Sequence, residues 1–250
     1  MKLTIIPNHP KFENLIRLYP PVLANKILPD WYKSKKFSTQ HEHWKNSMGY
    51  DNSEVITAKN CPAVQDLIST GVVLPIWSKF SFVTERDNEG NITKQNWRFQ
   101  AANAYGDNLQ EHLSYHTEEQ VKDLNIKTTV DGKLLKIFCP YKFIAPEGYN
   151  ILFTDPYYHF RQDIRCLPGI IEADKWGFVT IPFEILKDEF EINAGEPLVH
   201  LYLIKREDTK LILDVREGTN EEYKQALDDL IFLTSSSQNY RNKKKDIYEK

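Results

Sequence analysis

Apolar and polar residues alternate with a period of two over much of the second half of the chain. Short runs at 134–138, 142–145, 149–154, 164–167, 170–172, 178–185, 190–192, 199–205 and 211–215 are rich in β-branched and aromatic side chains. Turn signals separate them, among them Pro146-Glu147-Gly148, Asp174-Lys175-Trp176-Gly177 and Asn193-Ala194-Gly195-Glu196. Such runs fit pleated, half-buried strands, and their spacing leaves no room for crossover helices. The pattern predicts an antiparallel or mixed all-β unit over 133–215. Strands at 72–77 and 79–86, a turn at 87–91 and a strand at 92–101 add a hairpin, with Trp97 and Phe99 alternating against polar neighbours.

Helical patterns are few. Asn60, Pro62 and the apolar Val64, Leu67 and Ile68 predict a short helix ended by Gly71. Thr117 and Gln120 form a capping-box pair that opens one or two turns. Near the C-terminus Thr219 caps an amphipathic helix over 217–235, with Glu221 and Glu222 at its positive end. Tyr223, Ala226, Leu227, Leu230 and Ile231 make its single apolar stripe. Residues 1–60 are broken by Pro7, Pro10, Pro20, Pro21 and Pro29, yet carry Trp31 and Tyr32, and read as an extended proline- and aromatic-rich arm. The expected organisation is therefore an arm at 1–60, a β-rich core at 61–216 and a helix at 217–235. A polar, basic tail at 236–250 follows.

Composition narrows the class. With 41% hydrophobic and 27% charged residues in 250, the chain is globular rather than disordered. It has no apolar run of membrane-spanning length and no apolar leader, so an intracellular (host cytoplasm) or virion location is expected, without secretion. The net charge of −3 creates no global field for nucleic acid, and neither a nucleic-acid nor a membrane partner is expected. Cys61, Cys139 and Cys166 are odd in number and far apart, which reads as reduced thiols.

Phosphate loops, dinucleotide fingerprints, nucleophile elbows and His-Glu-x-x-His are absent from the sequence. His41-Glu42-His43 is the tightest histidine cluster and lacks an evident third ligand, so no metal or cofactor is expected. Lys243-Lys244-Lys245 reads as a solvated tail or a phosphate contact. His159, Arg161 and Asp163 alternate along the chain; on an extended strand they would share one face, as a general base with an anion grip or as a polar strand edge.

Three stretches carry a family resemblance: Gly148-Tyr149-Asn150-Ile151-Leu152-Phe153, Leu167-Pro168-Gly169-Ile170-Ile171-Glu172-Ala173-Asp174-Lys175-Trp176-Gly177-Phe178, and Ala194-Gly195-Glu196-Pro197-Leu198-Val199-His200-Leu201. In order and spacing they resemble the core of the dUTPase and dCTP-deaminase-like family. That resemblance implies a mainly β (α+β) fold, a β-clip barrel or sandwich with the N-terminal arm, the hairpin insertion and the C-terminal helix added. The catalytic motifs depart from the family: Glu172 and Lys175 stand at the third-motif carboxylate and tyrosine, and His200 at the fourth-motif glutamine. The second-motif Arg-Ser-Gly is missing near Asp155-Pro156-Tyr157-Tyr158-His159. Hydrolysis of dUTP is not expected, and no catalytic residue is assigned. The chain also resembles uncharacterised proteins of marine tailed phages, through Ile27-Leu28-Pro29-Asp30-Trp31-Tyr32-Lys33, Cys61-Pro62-Ala63-Val64 and Gly71-Val72-Val73-Leu74-Pro75 among others. That similarity implies a viral setting.

The expected function is a non-catalytic viral protein of dUTPase-like fold that binds a nucleotide-like small molecule. His116, Gln120, Tyr149, Arg165, Glu172, Asp174, Lys175 and Trp176 are its candidate contacts. A virion structural or assembly protein is the alternative, and an enzyme of unrecognised chemistry the second. The family's habit of placing pockets between subunits, with the 20–32 arm as a clasp, implies a homo-oligomer, a trimer ahead of a dimer.

Overall fold

The computed structural model describes residues 2–40, 54–99, 113–124, 134–206 and 213–235. Its strands in chain order are β1 (Thr4–Pro7), β2 (Val22–Leu23), β3 (Ser38–Gln40), β4 (Glu54–Ile56), β5 (Val72–Pro75), β6 (Phe80–Arg86), β7 (Ile92–Phe99) and β8 (Leu113–His116). They continue as β9 (Leu134–Phe138), β10 (Tyr141–Ile144), β11 (Tyr149–Thr154), β12 (Ile164–Cys166), β13 (Gly169–Ile171), β14 (Thr180–Ile185), β15 (Glu189–Ile192) and β16 (Pro197–Lys205). The α-helices are α1 (Glu13–Leu18), α2 (Asp30–Ser34), α3 (Pro62–Ser69), α4 (Glu118–Val121) and α5 (Asn220–Ser235).

The chain divides into two compact units: 1–27 with 70–207, and 28–69 with 208–250. The first unit is mainly β, and each of its strand pairings among the described residues is antiparallel. It holds a five-stranded sheet in the order β13-β11-β16-β5-β2, a four-stranded sheet β12-β14-β9-β8, a three-stranded sheet β15-β6-β7 and the pair β1-β10. Among the described residues none of these sheets closes into a barrel; they are open sheets packed on a shared core.

Strand alternation builds that core. Ile181, Phe183 and Ile185 of β14, Leu135 and Ile137 of β9, and Ile151 and Phe153 of β11 are all buried. Side chains spaced by two residues point to one face of a strand, so each run contributes alternate residues to the interior. Trp77 and Tyr141 meet edge-to-face at 6.4 Å. The Tyr141 hydroxyl donates to the Tyr19 carbonyl (3.1 Å), giving a buried phenol its partner.

Segment 1–27 is not the extended run that its prolines suggest. It forms β1, α1 and β2, and buries Phe12, Leu15 and Ala24. Asn8 Nδ2 donates to the Cys139 carbonyl (3.0 Å), and β2 pairs with β5 in the same chain, so Val22 and Leu23 serve this unit's own sheet. The strand expected at 178–185 starts at Thr180. Just before it, the chain is held by two isolated bonds, Phe143 N–H of β10 to Gly177 O (2.8 Å) and Cys139 N–H, between β9 and β10, to Val179 O (3.2 Å).

The second unit, taken alone, contains α2, the β3–β4 pair, α3 and α5. Helix α5 starts as expected: Glu222 N–H donates to Thr219 Oγ1 (3.2 Å), and Thr219 N–H to the Glu222 carboxylate (2.7 Å). Its apolar stripe is exposed at Tyr223 and Leu227 rather than buried. The strand expected at 211–215 does not form over 213–215, where Leu213 and Val215 lie about four-fifths exposed and no partner strand is present among the described residues. Residues 211–212, the His41-Glu42-His43 cluster and the 236–250 tail lie outside the described residues.

Candidate functional site

The turn that follows β13 carries four of the candidate contacts. Asp174 Oδ2 accepts from the Gly148 backbone N–H (2.8 Å), and its two oxygens take a bidentate grip from Arg206 at 3.1 and 2.6 Å. Arg206 also donates to Asn150 Oδ1 (3.1 Å) and lies 3.2 Å from Glu172, while Lys175 pairs with Glu172 at 2.8 Å. The turn 172–177 is thereby tied to the start of β11 and the end of β16. The Arg206 guanidinium, then the Gly148 N–H, hold the Asp174 carboxyl well below the usual range, at about 2. Glu172 is likewise lowered, first by Lys175 and then by Arg206.

The charges of Glu172, Asp174 and Arg206 are thus consumed within the fold. Trp176 is different: it stands 66% exposed on this braced turn. Tyr149, at the head of β11 opposite Lys205, is half-buried.

Arg165 belongs to another sheet. Its Nε donates to Glu184 Oε2 at 2.5 Å, and Glu184 is only 3% exposed on β14. Arg165 neutralises a buried carboxylate there, although its own side chain is 54% exposed. His116 ends β8, at the opposite edge of the same four-stranded sheet. Three strand spacings of about 4.8 Å place it about 14 Å from the Arg165 strand. Gln120 Oε1 accepts from Thr117 N–H (2.9 Å), so that glutamine completes the α4 capping box. Burial, then Lys136, lowers the His116 pKa, and Gln120 partly offsets both. The eight candidates accordingly fall into three separate places, of which only the 172–176 turn gathers several.

His200, at the fourth-motif position, is 2% exposed. Its Nε2 lies 2.7 Å from the Thr70 carbonyl, which can only accept, so Nε2 carries the proton and Nδ1 accepts from the Tyr202 hydroxyl (3.1 Å). Burial lowers its pKa against the opposing Thr70 bond, and the ring is a neutral, fully bonded core group. The loop 155–163 is a turn and not the extended strand that would align His159, Arg161 and Asp163. Tyr158 (φ 63°) and Phe160 (φ 54°) are left-handed there, and Arg161 pairs with Asp163 (3.1 Å) and Glu196 (2.6 Å). Burial raises the Asp155 carboxyl beside them, partly countered by the Cys166 N–H. No group of three or more His, Cys, Asp or Glu side chains among the described residues is arranged to hold a metal ion. No helix among them is long and apolar enough to cross a membrane.

A surface that the sequence reading did not single out adjoins the turn. Ile6 pairs with Lys142 and Thr4 with Ile144 across β1 and β10, facing away from the buried Phe143. Beyond β10 lies 176–178, close enough that a Cβ on Gly177 would fall 2.2 Å from the Phe143 carbonyl oxygen. The Lys142 ammonium stands 5.6 Å over the Phe178 ring. Ile6, Ile144 and Phe178 are 40–46% exposed around Lys142, and Trp176, two residues before Phe178, is 66% exposed, so the surface is open and largely apolar. The alternation of β1 and β10 contained this signal; what hid it was that the 176–178 segment is not itself a strand. The chain matches no protein-family model and no curated protein.

Proposed function

We propose that the protein is a non-catalytic assembly protein of dUTPase-like β-clip architecture in a viral setting, and that it docks on further copies of itself. The observation that carries this reading is the face of Ile6, Ile144, Trp176 and Phe178 around Lys142. Large apolar side chains gathered on an open surface mark association sites, and aromatic side chains such as Trp176 and Phe178 are enriched in them. The antiparallel sheets of short strands support the β-clip reading, and the resemblance to phage proteins supports the setting. The tethering of Glu172, Asp174 and Arg165 to protein partners weighs against a charged, solvent-ready active site. A homo-oligomer follows, with a trimer ahead of a dimer.

The test is light scattering coupled to gel filtration. Wild type should run at a multiple of 29.3 kDa across micromolar concentrations, and Trp176→Ser with Phe178→Ser should run as the monomer with an unchanged circular dichroism spectrum. A wild-type monomer at 100 μM would overturn the proposal.

One observation favours a second reading, a nucleotide-like ligand: Trp176 and Lys175 stand exposed on the same turn, a flat ring beside a cation. Such a ligand at a hundredfold excess over its Kd would raise stability by about 2.7 kcal/mol, and Trp176→Ala would remove that gain.

A further inference from the structure

A second surface, built within the 28–69 segment, concentrates positive charge around aromatic rings. The Lys59 ammonium lies 5.3 Å from the centre of the Tyr32 ring and 5.0 Å from that of Phe37. It also donates to the Lys33 carbonyl at 3.4 Å. The backbone beneath is pinned: the Thr57 hydroxyl donates to Lys36 O (2.6 Å), and its N–H to Phe37 O (2.9 Å). Lys33, Lys35 and Lys36 are exposed, and Phe37 is 54% exposed. Asp30 binds Lys33 at 2.9 Å. Lys35, Lys36 and Lys59 have no carboxylate partner among the described residues.

Residues 1–60 carry nine Lys and Arg against five Asp and Glu, although the whole chain carries a net −3. At physiological salt a charge is felt over only about 8 Å, so a phosphate held at this patch responds mainly to Lys35, Lys36 and Lys59, while Asp30 is offset by Lys33. Rings held beside ammonium groups suit a chain that alternates phosphates with flat bases. The bases must be unstacked to lie on Phe37, which favours a single strand over a duplex. We infer that Lys35, Lys36, Lys59 and Phe37 form a contact site for single-stranded nucleic acid. It is independent of the assembly face around Lys142.

The experiment is fluorescence anisotropy of the full chain with end-labelled dT20, and with a 20-base-pair duplex, from 50 to 200 mM NaCl. Three phosphate contacts predict a slope of log K against log[salt] of about −2, a loss of about 15-fold over that range. Lys35→Gln, Lys36→Gln and Lys59→Gln should each reduce the slope by about 0.7. Phe37→Leu should weaken dT20 about tenfold without altering the slope. Melting temperatures of the variants report that the fold is retained; the exposed Lys35→Gln and Lys36→Gln keep the test valid should Phe37→Leu fail to fold. Absence of dT20 binding at 50 mM salt would overturn the inference. So would a triple lysine variant that binds like wild type, or duplex binding as tight as dT20 binding and displaced equally by inorganic polyphosphate.

Discussion

Replacing Arg165 by methionine should destabilise the protein, because it strands a buried charge. Glu184 is 3% exposed, and the Arg165 guanidinium is its hydrogen-bonded counter-ion. Removing one partner of a fully buried pair costs about 3–5 kcal/mol, since the remaining charge is desolvated without compensation. Arg165 is itself 54% exposed, so water reaches its side of the pair, and the loss is expected at about 2–3 kcal/mol. The reverse change is asymmetric. Glu184→Leu leaves an arginine that can turn into solvent and should cost no more than about 1 kcal/mol, with the double variant close to Glu184→Leu alone. Urea unfolding reads this directly: with a slope near 2–3 kcal/mol per molar, Arg165→Met should shift the midpoint down by about 1 M. The melting temperature should fall by about 5–10 °C. An unchanged midpoint in Arg165→Met, or a double variant less stable than either single one, would refute the reasoning and return Arg165 to the pool of free ligand contacts.

Three further outcomes are expected. His200 is buried with its pKa lowered below the ordinary 6.5, so its contribution to stability is present above that value and is lost as pH falls through it. Thermal melts from pH 8 to pH 5 should show this decline, to which His116 adds, and His200→Gln should flatten it; identical profiles for both proteins would contradict it. The Arg206–Asp174 clasp, with its carboxyl at about 2, should survive that range and fail only in a second step below pH 4. Burial pushes the Cys139 thiol up to about 12 and Cys166 upward too, whereas Cys61 is exposed. A thiol reagent should therefore modify one cysteine rapidly in the native protein and all three in denaturant; two or three fast thiols in native buffer would show that the core opens.

Local chemistry was legible in the sequence wherever it acts over a few residues. The Thr117–Gln120 box, the Thr219 cap and the turn at 87–91, where Asp87 accepts from the Glu89 and Asn91 N–H groups, all appear as their residue types require. Strand alternation also located most of the 133–205 strands to within a residue or two. It failed at 213–215, where an apolar alternation has no partner strand among the described residues, because a strand is defined by its neighbour and not by its own pattern. The candidate site failed for a related reason. Asp174 has the look of a ligand contact until Arg206, 32 positions away, is seen to hold it; Arg165 does so until Glu184 is found beside it. Nothing local announces such pairs. The reverse holds for Tyr158 and Phe160, whose left-handed backbone no short-range rule would assign to bulky side chains.

The pairing of β1 with β10 joins Thr4 to Ile144, and so sets a schedule for synthesis. A ribosome adding about 5–20 residues per second needs roughly 7–28 s to make the partner of the first strand. Through that interval Leu3, Ile5 and Ile6 leave the exit tunnel as an apolar, unpaired strand edge, and β2 waits similarly for β5. Segment 3–7 is therefore exposed for the whole of that interval, and holding by a chaperone would be worth most there. A circular permutant that opens inside the 28–69 segment, making residues 1–27 after 70–207, would remove that exposure of β1, because β10 would already be made when β1 emerges.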